Sequence, residues 1–168
     1  PAEQMSEAQL IEVGKEVGIS AEHVRLALAE DVRVVSVETE GCATYAASRA
    51  AGERVGIEPS GVAADALGAA WLGEIAWSVL SGHRVPGRDV SANRVPGHEV
   101  PALTVTDAEV LAARTWLWQR LRLVAEPAGA TALAAVLSGK YRPQVGERVA
   151  VVVCGANTDP SDLVSKAS

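Results

Sequence analysis

Three short stretches combine small residues with isolated polar groups, as a ligand-binding loop does. They are Cys154-Gly-Ala-Asn157-Thr-Asp159, Ala125-Glu126-Pro-Ala-Gly129-Ala and Gly61-Val-Ala-Ala-Asp65-Ala-Leu-Gly68. Small side chains let a planar ligand come close to the backbone, and a thiol, carboxylates and an amide then stand around it. Each residue also has an ordinary role. A lone cysteine at a strand end is commonly a small buried hydrophobe. Glu126, just before Pro127, suits the positive end of a helix dipole. Asp65 suits the cap of a helix beginning near Leu67.

The elements that must position these loops follow from periodicity. Val149-Ala-Val-Val-Val153 is a continuous apolar run of the kind buried on both faces of a parallel sheet. It would deliver Cys154 beyond a strand's C-terminal end, where open parallel sheets bind ligands. Val32 to Val37 and Leu103 to Val105 read as two further strands. A helix over 43–51 stops at Gly52, and Leu67, Trp71, Leu72, Ile75, Ala76, Val79 and Leu80 form a helical core stripe. Thr106 with Glu109 is a capping box that starts a long helix through Val110, Leu111, Leu117, Trp118 and Leu121. Pro127 and Gly129 punctuate the chain before a helix with Leu133, Ala134 and Leu137 that ends at Gly139. The order predicts an α/β fold, a partial parallel sheet with flanking helices over 31–168, preceded by a short acidic helical hairpin over 1–30. Within the larger region, 82–100 carries Arg-Val-Pro-Gly twice and reads as a mobile surface loop.

Composition narrows the function. The apolar 48% is Ala- and Val-rich with no Phe, which suits tight helix–sheet layers. A net charge of −6 argues against nucleic acid as a partner, including for the Glu-rich hairpin, and no apolar run is long enough for a membrane span. Two distant cysteines and an N-terminus without signal-peptide character give a cytoplasmic expectation. As a strand-end residue Cys154 should be buried and unreactive, and Cys42 the more accessible thiol.

Taken in order, VVSVETEGCAT, GVAADALGA, VTDAEVLAARTWLWQRLRLVAEPAGATALAAVLSG and VAVVVCGANTD resemble the fold type II pyridoxal-phosphate-dependent serine/threonine dehydratases (threonine ammonia-lyases), in their C-terminal part. The likeness runs from about Asp31 to Leu163, interrupted by 82–100. It implies a fragment of that family's large domain, with pyridoxal phosphate as cofactor and a small hydroxy amino acid as substrate. Cys154 matches the position where the family sets a Ser, Thr or Cys beside the pyridine nitrogen, with Gly155 and Asn157 continuing that loop. A neutral thiol cannot keep the ring nitrogen protonated as a carboxylate would, which suits β-elimination over long-lived carbanion chemistry. Glu126 matches a carboxylate near the cofactor ring, and Asp65 lies in a loop on the cofactor and substrate side. Glu38 matches a carboxylate that binds a structural cation in some members, together with a second acid; Thr44 stands at that second position.

The family's Schiff-base lysine lies in an N-terminal half with no counterpart here, and acidic helices occupy the place of its phosphate-cradling Gly loop. The lysines present, Lys15, Lys140 and Lys166, lack the family's surrounding sequence. No catalytic residue is therefore assigned, and the chain alone is expected to be inactive. Two functions stand. One is a dehydratase subdomain completed by a Lys-bearing companion half, with a homo-oligomer as the alternative partner. The other is a non-catalytic interaction or oligomerisation module.

Overall fold

Two four-residue strands pair in parallel in this computed structural model, which describes residues 33–81 and 100–164. Strand β1 (Ser36–Thr39) lies beside β2 (Ala102–Val105), with Ser36 opposite Ala102 and Thr39 opposite Val105. Both strands therefore point their C-terminal ends to one edge. Each is followed there by a turn: a 3-10 turn over Glu40–Cys42 after β1, and the Thr106 cap after β2.

Helix α1 (Thr44–Ala51) closes on Gly52, whose φ of 74° is the left-handed conformation that glycine adopts without strain. Two short helices follow, α2 (Ala64–Leu67) and α3 (Glu74–Ser81). The long α4 (Asp107–Leu121) starts with the expected capping box: the Glu109 N–H donates to the Thr106 hydroxyl, and the Thr106 N–H to the Glu109 carboxylate. At its other end Arg122 takes φ 56° and its N–H closes the last turn. Helix α5 (Pro127–Leu137) opens with proline at its first position, where a missing N–H costs nothing. A last turn, α6 (Ser161–Val164), follows the Cys154 loop.

The main core joins Val105 of the sheet to Val110, Ala113 and Leu117 of α4 and to Ala130, Ala134 and Ala135 of α5. Alanines on α5 allow the two helices to pack closely. A second cluster sets Tyr45 edge-on to Trp77, ring centroids 6.4 Å apart, with Val100 beside them. The Tyr45 hydroxyl lies 2.6 Å from the Val100 carbonyl oxygen and 3.0 Å from that of Leu80. It thereby ties the two ends of segment 82–99 together. Val100, expected in the loop, is part of this core. The rest of that expected loop and the expected 1–30 hairpin lie outside the described residues.

Three expectations change. Val149–Val153 is not a strand: no neighbouring strand pairs with it among the described residues, and Val152 is 75% exposed. An apolar run without a ladder to join gains no cross-strand hydrogen bonds and hides little surface. The Leu67–Leu80 stripe is broken between α2 and α3 across Gly68 to Gly73, and Trp71, set against Gly56, is 63% exposed. The buried face of α3 is Trp77 and Ser78 instead. Strand β1 is Ser36–Thr39, later in the chain than Val32–Val37, because Ser36 is the first residue bonded across, to the Pro101 carbonyl.

Candidate cofactor site

The start of α5 and the Cys154 loop meet backbone to backbone. The Glu126 N–H donates to the Gly155 carbonyl at 2.6 Å. A Cβ on Gly129 would fall 1.6 Å from the Cys154 carbonyl oxygen, so only glycine permits this approach. The Glu126 side chain covers Gly155, where an added Cβ would meet its carboxylate at 2.1 Å. Gly155 itself has φ 71°. The structure thus brings together two loops that the sequence assigned separately, one carrying Glu126 and the other Cys154 and Gly155. Asn157, exposed, continues the loop outward. Asp159 turns it, accepting the Ser161 N–H at 2.9 Å, which holds its carboxyl below the usual range.

Cys154 is exposed and Cys42 buried, the reverse of the expected order. Without a paired strand beneath it, residue 154 rides on an open segment. Cys42 is closed in by the 60–62 stretch, its thiol 3.4 Å from the Ser60 carbonyl.

Asp65 lies on α2. It is exposed within α2, whose cap is Ala63, so it does not cap that helix. Its loop covers the C-terminal edge of the sheet: the Ser60 N–H donates to Gly41, and the Val62 N–H to the Asp107 carboxylate at 3.2 Å.

Glu38 serves α1. Its two carboxylate oxygens accept the Tyr45 and Ala46 N–H groups at 2.9 and 2.8 Å, which satisfies two orphan donors of the helix's first turn. Burial pushes this carboxyl above the ordinary range, and the two N–H donors offset part of the rise. The Thr44 hydroxyl is turned away, donating to the Ala69 carbonyl at 2.6 Å. Among the described residues no three His, Cys, Asp or Glu side chains are grouped to hold an ion.

A lysine weighed in the sequence finds its partners here, and one residue matters that sequence reasoning did not single out. Lys140, just past α5, pairs with Glu109 at 2.8 Å and reaches Glu40 at 4.0 Å. Arg114, 4% exposed, donates from Nε to the Ala125 carbonyl and from Nη1 to Asp162, both at 2.8 Å. A signal for it was present. Residue 114 shares a helical face with Val110, Ala113 and Leu117, and an arginine on a buried stripe needs partners.

This fold and junction define a class. A family model of pyridoxal-phosphate dependent enzymes matches residues 17–155, and the chain belongs to that family. Among curated relatives, phenylserine dehydratase of Ralstonia pickettii is 47% identical over 55 residues, covering 33% of this chain and 17% of its own length. Serine racemase of Arabidopsis thaliana is 29% identical over 136 residues, 79% of this chain and 36% of that protein. Among solved structures, the T.th. threonine deaminase superposes with a TM-score of 0.60 at 26% identity, covering 91% of this chain and 56% of the other. Maize serine racemase gives 0.52 at 26% identity, covering 70% of this chain and 32% of the other. The chain thus spans little more than a third of the length of these curated relatives at most.

Pyridoxal phosphate is the cofactor of this family, and the residues present fit one side of it. The Cys154 thiol and the Glu126 side chain sit on loops pinned together at Gly129. On the lysine side, Lys140 is taken up by Glu109 and Glu40.

Proposed function

We propose that this chain forms the ring-side part of a pyridoxal-phosphate-dependent ammonia-lyase that converts a small hydroxy amino acid to a 2-oxo acid and ammonia. The Schiff-base lysine and the phosphate loop come from a companion segment, and without it the chain is inactive. The observation that carries this reading is the junction of Glu126 with Cys154 and Gly155. When bound, the cofactor supplies the electron sink for loss of the substrate's Cα proton and β-hydroxyl. The chain's own part is to hold that sink weak and oriented. Cys154 would offer a thiol to the ring nitrogen without fixing a proton on it, and Glu126 would stand beside the ring. The dehydratases among the relatives support elimination as the reaction.

A chimera tests this. Residues 33–164 are exchanged for the matching stretch of a full-length dehydratase that keeps its own lysine and phosphate loop. The chimera should bind pyridoxal phosphate and release 2-oxo acid from serine, threonine or a 3-hydroxy analogue. A folded chimera that takes up no cofactor would contradict the proposal.

The exposed Val145, Val149, Val152 and Val153 favour a second reading, a non-catalytic module that binds a partner through this apolar strip. A chimera that folds and associates but never binds cofactor would favour it.

A further inference from the structure

We propose that Arg114 is a positioning residue that sets the spacing between the two loops of the candidate cofactor site. The proposal rests on that site assignment. Its guanidinium is buried on the helical face that carries Val110, Ala113 and Leu117, where an unpaired charge would be severely penalised. It is paired twice, and each partner flanks one of the loops. Ala125, whose carbonyl accepts Nε, immediately precedes Glu126. Asp162, which accepts Nη1, stands in the turn that ends the Cys154 loop. One rigid fork thus bridges α4, the start of α5 and α6, and the bond between the Glu126 N–H and the Gly155 carbonyl lies between its two anchors. Lysine could not reproduce this, since its single ammonium lacks the planar pair of donors. The bridge also accounts for how the Cys154 loop is held although no strand beneath it is paired.

The test uses the full 168-residue chain and follows hydrogen exchange of the Glu126 amide, a readout that needs no cofactor and so fails independently of the site assignment. In Arg114→Met, which keeps the apolar stem, Glu126 should exchange at least about tenfold faster, while the amides of Val110 and Ala113 inside α4 keep their protection. Arg114→Lys, with one ammonium in place of the fork, should also exchange faster than the wild type. Asp162 is half exposed, so Asp162→Asn keeps the fold and decides the matter should the Met variant unfold. It should speed exchange at Glu126 and leave α4 unchanged. Glu126 exchange at the wild-type rate in Asp162→Asn, in Arg114→Lys or in a folded Arg114→Met would overturn the proposal.

Discussion

Two regions of this chain are both rich in valine and have opposite fates. The layer formed by β1, β2, α4 and α5 buries its inward-facing valines, leucines and alanines, down to Val105, Val110 and Ala134 with no measurable exposure. The stretch from Val145 to Val153 repeats valine at least as often, yet Val145, Val149, Val152 and Val153 face solvent. The difference is partnership. Val37 and Leu103 have strands opposite them and helices above, whereas 149–153 has no strand beside it among the described residues. Hydrophobic composition supplies the drive to bury surface, and a hydrogen-bonded neighbour decides whether an extended run can act on it. The seam between the regions is the glycine contact at 129 and the Arg114 fork.

Variants can break or sharpen this contrast. Leu117→Ala, in the packed layer, should cost about 2–5 kcal/mol in chemical denaturation, the range for a truncated core leucine. A loss under about 1 kcal/mol would mean that α4 and α5 are not a close-packed pair. Gly129→Ala acts on the seam. It forces a methyl into the Cys154 carbonyl and should cost about 1–3 kcal/mol, with faster amide exchange at Glu126 as its local sign. Native alkylation compares the two thiols directly. Cys154 should react at least about tenfold faster than Cys42, which is 2% exposed and must wait for an opening of its cover. The reverse order would show that the 149–153 segment is covered after all.

Smaller effects follow at the pairs. Lys140 beside Glu109, with the Thr106 N–H, holds the Glu109 carboxyl below the ordinary carboxylate range. A depressed carboxyl pKa stabilises the fold above the unfolded value and loses that contribution as pH falls through the folded one. Stability should therefore decline on acidification below the usual carboxylate range, and Glu109→Gln should flatten that limb by under about 1 kcal/mol, because the pair is partly solvated. Glu38 works in the opposite sense: raised by burial, it contributes below its unfolded value and loses that as pH rises through its folded one. At the foot of the scale, Val152→Ala should change stability by no more than about 0.5 kcal/mol.

What could be read from sequence followed how local each signal was. The capping box at Thr106 and Glu109, the stop at Gly52 and the proline start of α5 need only neighbouring residues, and all appear as expected. Strand pairing is non-local, so the 149–153 run looked like a buried strand while its partner, the deciding quantity, is invisible in the run itself. The expected burial of Cys154 inherited that error, whereas Cys42, expected to be accessible near a helix start, is covered at Ser60. The site was legible in part for the same reason. Glu126 and the Cys154–Gly155 pair were named from two separate loops and those loops do meet, a contact that depends on packing no spacing encodes. Arg114 escaped notice because its meaning lies in Ala125 and Asp162, 11 and 48 residues away.

The central claim is that this chain brings the ring side of a pyridoxal-phosphate site and not its lysine. Reduction with borohydride after mixing with pyridoxal phosphate, followed by peptide mapping, tests it most directly. The account predicts no single stoichiometrically labelled lysine, with Lys140 held by Glu109 and Glu40. One-to-one labelling at Lys15, Lys140 or Lys166 would contradict it.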